Sequence, residues 1–141
     1  MRIFEHDITV TIGSTNMEGN VYWVEFLRWF GEARELFLIN LLPDIHMPDY
    51  LMEREVAIVT CNINTNFIRS AYFTDQVNIK VYAEKVENCS AVLGFEITNK
   101  KTGEILAKGN QKIAFINISN QRPVRIPKEL KESVKEYLQD N

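Results

Sequence analysis

At 141 residues, with 45% apolar and 25% charged side chains, the chain has the size and composition of one globular domain with a real core. A formal charge of -3 argues against a nucleic-acid surface as its main business, although a local basic patch can still meet a small acidic ligand. Two cysteines, Cys61 and Cys89, fall in strand-like segments and are expected as free, buried thiols of a reducing compartment.

Residues 2 to 12 alternate polar and apolar, which predicts a half-buried strand with Ile8, Val10 and Ile12 on one face. The same alternation leaves no apolar run for a secretory signal, so a cytoplasmic location is expected. Gly13 to Asn16 read as a turn that continues through Glu18-Gly19-Asn20, with Asn20 as the expected N-cap of a long helix. That helix is predicted from about Val21 to Leu41, ending before Pro43, with a loop through Pro43, Asp44, His46 and Pro48. It is long and apolar enough to raise the question of a membrane span. Glu25, Arg28, Glu32, Arg34 and Glu35 would be costly in lipid, so a core helix is expected.

From Val56 the pattern turns to strands: Val56 to Phe67, a bend at Ala71 to Thr74, then Gln76 to Lys85 with Val77, Ile79, Val81 and Ala83 on one face. Ser90 to Thr98 follows, and Asn99-Lys100-Lys101-Thr102-Gly103 predicts a hairpin into Glu104 to Ile118. Pro127 sits at the expected first position of a short amphipathic helix carrying Leu130, Val134 and Leu138 on one face. No repeat, low-complexity segment or linker interrupts residues 1 to 141, which predicts a single domain. An apolar helix must bury nearly all its faces, and a curved antiparallel sheet wrapped around it would do so; the class is α+β.

At about 100° per residue, Glu25, Arg28, Glu32 and Glu35 share one side of the long helix. Arg34 falls opposite them, in a stripe with Leu27, Phe30, Leu38 and Leu41. A guanidinium cannot shed its charge and must find acceptors, either as a structural or snorkelling cation or as one aimed at an anionic ligand. The helix entry, Asn16-Met17-Glu18-Gly19-Asn20-Val21-Tyr22-Trp23, is the second candidate. First-turn N–H groups lack internal acceptors and favour negative charge, as an oxyanion hole requires. Gly19 permits close backbone approach, and Asn16 offers an amide, although a turn Asn and a capping Gly account for the same residues.

The segment Asn16-x-x-Gly19-Asn20-Val21-Tyr22-Trp23-Val24-x-Phe26-Leu27-Arg28-Trp29-x-Gly31-x-x-Arg34-Glu35-Leu36-Phe37-Leu38 resembles the signature of hotdog thioesterases related to 4-hydroxybenzoyl-CoA thioesterase. It is most similar to those that accompany enediyne polyketide synthases and polyunsaturated fatty acid synthases. The resemblance covers nearly the whole chain. It implies a hotdog fold, a homodimer through strand edges that assembles to a homotetramer, and an active site at a subunit interface beside the helix N-terminus. The wider family carries an Asp as base or nucleophile where this chain has Asn16, as the enediyne-type enzymes do. An amide cannot take a proton from water. The resemblance implies instead that Asn16 positions water or the carbonyl, that Arg34 supplies positive charge or fixes Asn16, and that the Trp23 backbone N–H holds the oxyanion.

The implied reaction is hydrolysis of a long polyketide-like or polyunsaturated acyl thioester of coenzyme A or acyl carrier protein, without a cofactor. Gly19, Tyr22, Asn64 and Asn66 are the expected substrate-binding residues, the two asparagines from a run in which Asn62, Asn64 and Asn66 share one strand face. Arg122, Arg125 and Lys128 form a basic stretch that could meet coenzyme A phosphates or an acidic carrier protein. His6 and His46 are too few and too scattered for a metal site. A hydroxyacyl-thioester dehydratase would want a histidine at the helix entry, where there is none. A non-catalytic acyl-binding module is the alternative that the missing carboxylate favours.

Overall fold

The computed structural model describes residues 1 to 140. Asn141, the last residue of the expected domain, lies outside them. Five strands, β1 (Phe4–Thr9), β2 (Val56–Phe67), β3 (Gln76–Val86), β4 (Ser90–Asn99) and β5 (Ile105–Asn117), form one antiparallel sheet in the order β1-β3-β4-β5-β2. Helix α1 (Trp23–Leu41) lies in its concave face, α2 (Met47–Glu53) leads into β2, and α3 (Lys128–Lys135) closes the chain. This is the α+β hotdog arrangement, with β1 and β2 as the two edges.

Helix α1 is held by burial. Phe26, Trp29, Phe30, Ala33, Phe37 and Leu41 recur at three- and four-residue spacing and are all buried. They face Val77, Ile79, Val81 and Ala83 of β3 together with Leu93, Phe95, Ile97, Ile113 and Phe115. Each large apolar side chain removed from water contributes about 1.5–3 kcal/mol. That sum far outweighs the roughly 1 kcal/mol lost because the helix has no side-chain cap. Among the described residues no helix is long and apolar enough to cross a membrane.

The strand and hairpin expectations hold closely. Asn99 Oδ1 accepts from the Lys101 and Thr102 amides at 2.9 and 3.2 Å, and Gly103 takes a φ of 77° in the turn. Five local expectations need correction. Pro127 is the N-cap of α3 and not its first residue, and Leu138 lies beyond the helix end at Lys135. The first strand ends at Thr9, and Ile12–Ser14 make a 3-10 turn with Ile12 exposed and Val10 buried. Helix α1 begins at Trp23, with Tyr22 and not Asn20 at the N-cap. Part of the expected Pro43–Pro48 loop is α2, because Pro48 is tolerated in a first turn and Met47 and Tyr50 are buried. Cys61 is exposed on β2 and Cys89 is half-buried.

The bulge in β2 has the largest consequence for the site. Thr60 pairs with Ile113 but Asn62 with Lys112, so Cys61 is an extra residue and the side-chain alternation slips by one. Val56, Ile58 and Thr60 face the helix before the bulge; Ile63, Thr65 and Phe67 face it after. Asn62, Asn64 and Asn66 are turned to the convex side.

Candidate active site

The helix entry is pinned by short local bonds. The Asn16 amide donates to the Asn20 carbonyl at 2.8 Å, the Gly19 amide returns a bond to Asn16, and the Tyr22 amide reaches the Ser14 carbonyl at 3.3 Å. Val21 bonds the Ala71 carbonyl at 2.8 Å, which ties the entry to the segment before β3. Ser14, nearly buried, donates its hydroxyl to Glu25 in the first helical turn at 2.8 Å. Hydrogen bonds from Arg28 and then Ser14 hold the Glu25 carboxyl below its ordinary pKa.

The Glu25 amide is used by the Tyr22 carbonyl, while those of Trp23 and Val24 have no acceptor among the described residues. They are the open donors of the helix end. An open cleft of about 400 Å³ lies beside this helix end, lined by Asn16, Asn20, Tyr22, Trp23, Phe26, Phe67 and neighbouring residues. Its wall is aromatic: Phe67 stacks on Phe26 with ring centroids 6.0 Å apart and meets Trp23 edge-on at 6.1 Å, and Tyr22 lies 5.5 Å from Trp23. Apolar rings around a few convergent donors are what a small-molecule site needs.

Asn16, Tyr22 and Trp23 therefore come together at one cleft. Asn16 Oδ1 accepts from the Glu18 amide at 2.9 Å, and its NH₂ donates to no acceptor among the described residues. Gly19 has a φ of 85°, which explains the glycine; an added Cβ would meet nothing within 4 Å, so no close approach requires it. Asn64 is tied to Asn62 at 2.6 Å and to Asn110 at 3.3 Å on the convex face, and Asn66 shares that face. The structure does not bring them to the cleft. Arg125 and Lys128 border a small cavity with Asn88 and Lys131, at the opposite end of the sheet from the helix entry.

Arg34 lies eleven residues beyond Trp23, about 16 Å along the helix at 1.5 Å per residue. It is not at the cleft of its own chain. Its Nη1 donates to Thr60 Oγ1 of β2 at 2.8 Å and to Gln111 Oε1 of β5 at 2.9 Å. Its Nε is buried without an acceptor among the described residues. Burial pulls its pKa down, opposed by the Glu35 carboxylate, and a guanidinium stays charged through such a change. Asn20 Oδ1 is the other buried polar atom without a partner there.

Sequence reading missed Ser14, Thr60, Gln111 and Phe67. Gln111 alone carried a signal, as a polar residue at an inward position of β5 between Ala107 and Ile113.

Similarity to known proteins extends over most of the chain. A 1,4-dihydroxy-2-naphthoyl-CoA hydrolase of Prochlorococcus marinus (strain NATL1A) is 29% identical over 129 residues, covering 86% of this chain and 83% of that one. Acyl-CoA thioesterase YbgC of Haemophilus influenzae (strain ATCC 51907 / DSM 11121 / KW20 / Rd) is 25% identical over 128 residues, covering 91% of each. Among solved structures, the dynemicin thioesterase, described with bound polyene, superposes with a TM-score of 0.88 at 25% identity, covering 99% of this chain and 100% of that one. The model of the thioesterase-like superfamily matches residues 10–134, and the chain with its open helix end and aromatic cleft belongs to that family.

Proposed function

We propose that this chain hydrolyses long polyketide-like or polyunsaturated acyl thioesters of coenzyme A or an acyl carrier protein, at the cleft beside the N-terminus of α1. The observation that carries the reading is a helix end with open first-turn N–H groups, whose Trp23 lines an aromatic cleft together with Asn16. The thioester carbonyl oxygen lies against the Trp23 N–H. Water adds to the carbonyl carbon and gives up one proton to solvent, and the charge that develops on the carbonyl oxygen is held by donors already in place. With Asn16 Oδ1 accepting from the Glu18 amide, its NH₂ is left to donate to the carbonyl oxygen. The C–S bond then breaks; the thiolate leaves, solvent supplies its proton, and the acid ionises.

Arg34 joins this site through a second copy. Strand β2 is an unpaired edge twelve residues long, and α1 runs antiparallel to it, with Trp23 against Phe67 and Arg34 against Thr60. A two-fold axis through β2 midway between residues 60 and 67 brings the Arg34 level of one copy beside the helix entry of the other. The homodimer, with a tetramer of two such pairs, is part of this proposal, as is a cytoplasmic setting. Gly19 and Tyr22 shape the substrate path, and Asn64 and Asn66, on the convex side, have no part in it.

The relatives' names support acyl-CoA hydrolysis in general. The stacked rings also suit a fused aromatic acyl group like that in the Prochlorococcus relative's name, which is the second reading. The test is thiol release from saturated, polyunsaturated and arylacyl coenzyme A esters by wild type, Asn16→Ala and Arg34→Ala. Loss of about a hundredfold or more in kcat for each folded variant is expected, with long unsaturated chains preferred. Turnover that survives both substitutions overturns the site. A wild type silent on every coenzyme A ester and every acyl carrier protein overturns the hydrolase reading in favour of an acyl-binding module.

A further inference from the structure

Resting on the reading of Arg34 above, we propose that Thr60 and Gln111 form a neutral clamp that aims the guanidinium while leaving its charge uncompensated. Gln111 is then a positioning residue whose amide, and not a carboxylate, the reaction requires.

Gln111 is 4% exposed, on the concave face of β5, with Leu93 and Ile63 directly across on its two neighbouring strands. An amide is an expensive occupant of such a place unless it is bonded, and a leucine of similar size would pack without that cost. Its oxygen goes to Arg34 Nη1, beside the Thr60 hydroxyl on the same nitrogen. Two strands therefore hold one guanidinium nitrogen from two directions, which fixes the plane of the group. Both acceptors are uncharged. No carboxylate oxygen lies within 4 Å of the Arg34 guanidinium among the described residues. A glutamate at 111 would bond the same nitrogen equally well but would spend the positive charge on an internal ion pair. The bulge at Cys61 belongs to the same device. By slipping the alternation it puts Thr60 and Ile63 on the inward face together and lets Thr60 reach Arg34 from the open edge of the sheet.

The experiment compares Gln111→Met, Gln111→Glu, Thr60→Val and Thr60→Ser with wild type and Arg34→Ala, in kcat, KM and thermal midpoint on the best acyl thioester. Gln111→Met removes the acceptor at nearly constant volume. It is expected to lower kcat about tenfold to a hundredfold, with KM within about twofold, because a loss confined to the transition state leaves ground-state binding alone. Gln111→Glu is expected to lower kcat at least as far while its thermal midpoint stays within about 3 °C of wild type. A merely structural glutamine cannot give that separation of activity from stability. Thr60→Val is expected to lose activity and Thr60→Ser to restore it. Wild-type kcat in folded Gln111→Met or Gln111→Glu, with Arg34→Ala inactive, overturns the clamp alone. An active Arg34→Ala overturns the role of Arg34 and the clamp with it.

Discussion

Replacing Gly109 by alanine tests how closely β2 and β5 must approach to hold both halves of the site. A Cβ at 109 would stand 2.0 Å from the Asn64 carbonyl oxygen and 2.9 Å from Thr65 Cα. The first distance is about 1.4 Å short of the 3.4 Å at which ordinary contact begins, and the obstacle is backbone, which cannot rotate away. The ladder must open at Thr65↔Gly109 and its neighbours Asn64↔Asn110 and Asn66↔Lys108. Two or three backbone hydrogen bonds at about 1 kcal/mol each put the loss at roughly 2–3 kcal/mol. For a chain of this size that is a fall in midpoint of about 6–12 °C. Activity should fall as well, since the same stretch of β2 carries Phe67 to the cleft. Gly31→Ala is the control of opposite sign. It is a mid-helix glycine with nothing within 4 Å of the new Cβ, so a gain of roughly 0.5–1 kcal/mol is expected. Calorimetry and urea unfolding read both. A Gly109→Ala variant within about 0.5 kcal/mol of wild type would refute the argument from strand approach, and a destabilised Gly31→Ala would refute that of open space.

Phe67→Ala removes the ring stacked on Phe26 and set edge-on to Trp23, and KM for long acyl thioesters should rise about tenfold with short chains little changed. Steady-state kinetics across chain lengths checks this. Burial, and then the bond it donates to Glu129 at 2.7 Å, pushes the Tyr50 phenol up to about 12. The raised folded value means a contribution present below the ordinary tyrosine pKa near 10 and lost as pH rises through about 12. About 2–3 kcal/mol of stability should disappear across that window in urea titrations, and less in Tyr50→Phe. Ser14→Ala should cost about 1 kcal/mol by freeing the entry loop from Glu25, with a fall in kcat read by thiol release. For Glu25 the sign is reversed: its depressed pKa gives stability present above the ordinary carboxylate value and lost as pH falls through the folded one. Acid unfolding of Glu25→Gln should therefore be shallower than that of wild type.

Periodicity and turn chemistry in the sequence were enough for the long helix, five strands, the Asn99–Gly103 hairpin and the α+β class, because burying a 3.6-residue or two-residue apolar period admits few layouts. The lone cation among apolar residues marked Arg34, whereas Asn16 and Trp23 were marked by the resemblance of the entry segment. Contacts between distant segments were not legible in the same way. The extra residue at Cys61 is invisible in composition, yet it turns Asn64 and Asn66 away from the cleft and Phe67 into it. Only the packed sheet shows that Thr60 and Gln111, far apart in sequence from Arg34, hold its guanidinium. Helix α1 also keeps Arg34 about 16 Å from the Trp23 end by its rise alone. Local patterns thus determined which elements form and which residues stand out. Strand register and the path of the sheet around α1, fixed only when non-local surfaces are buried together, decided which of those residues meet.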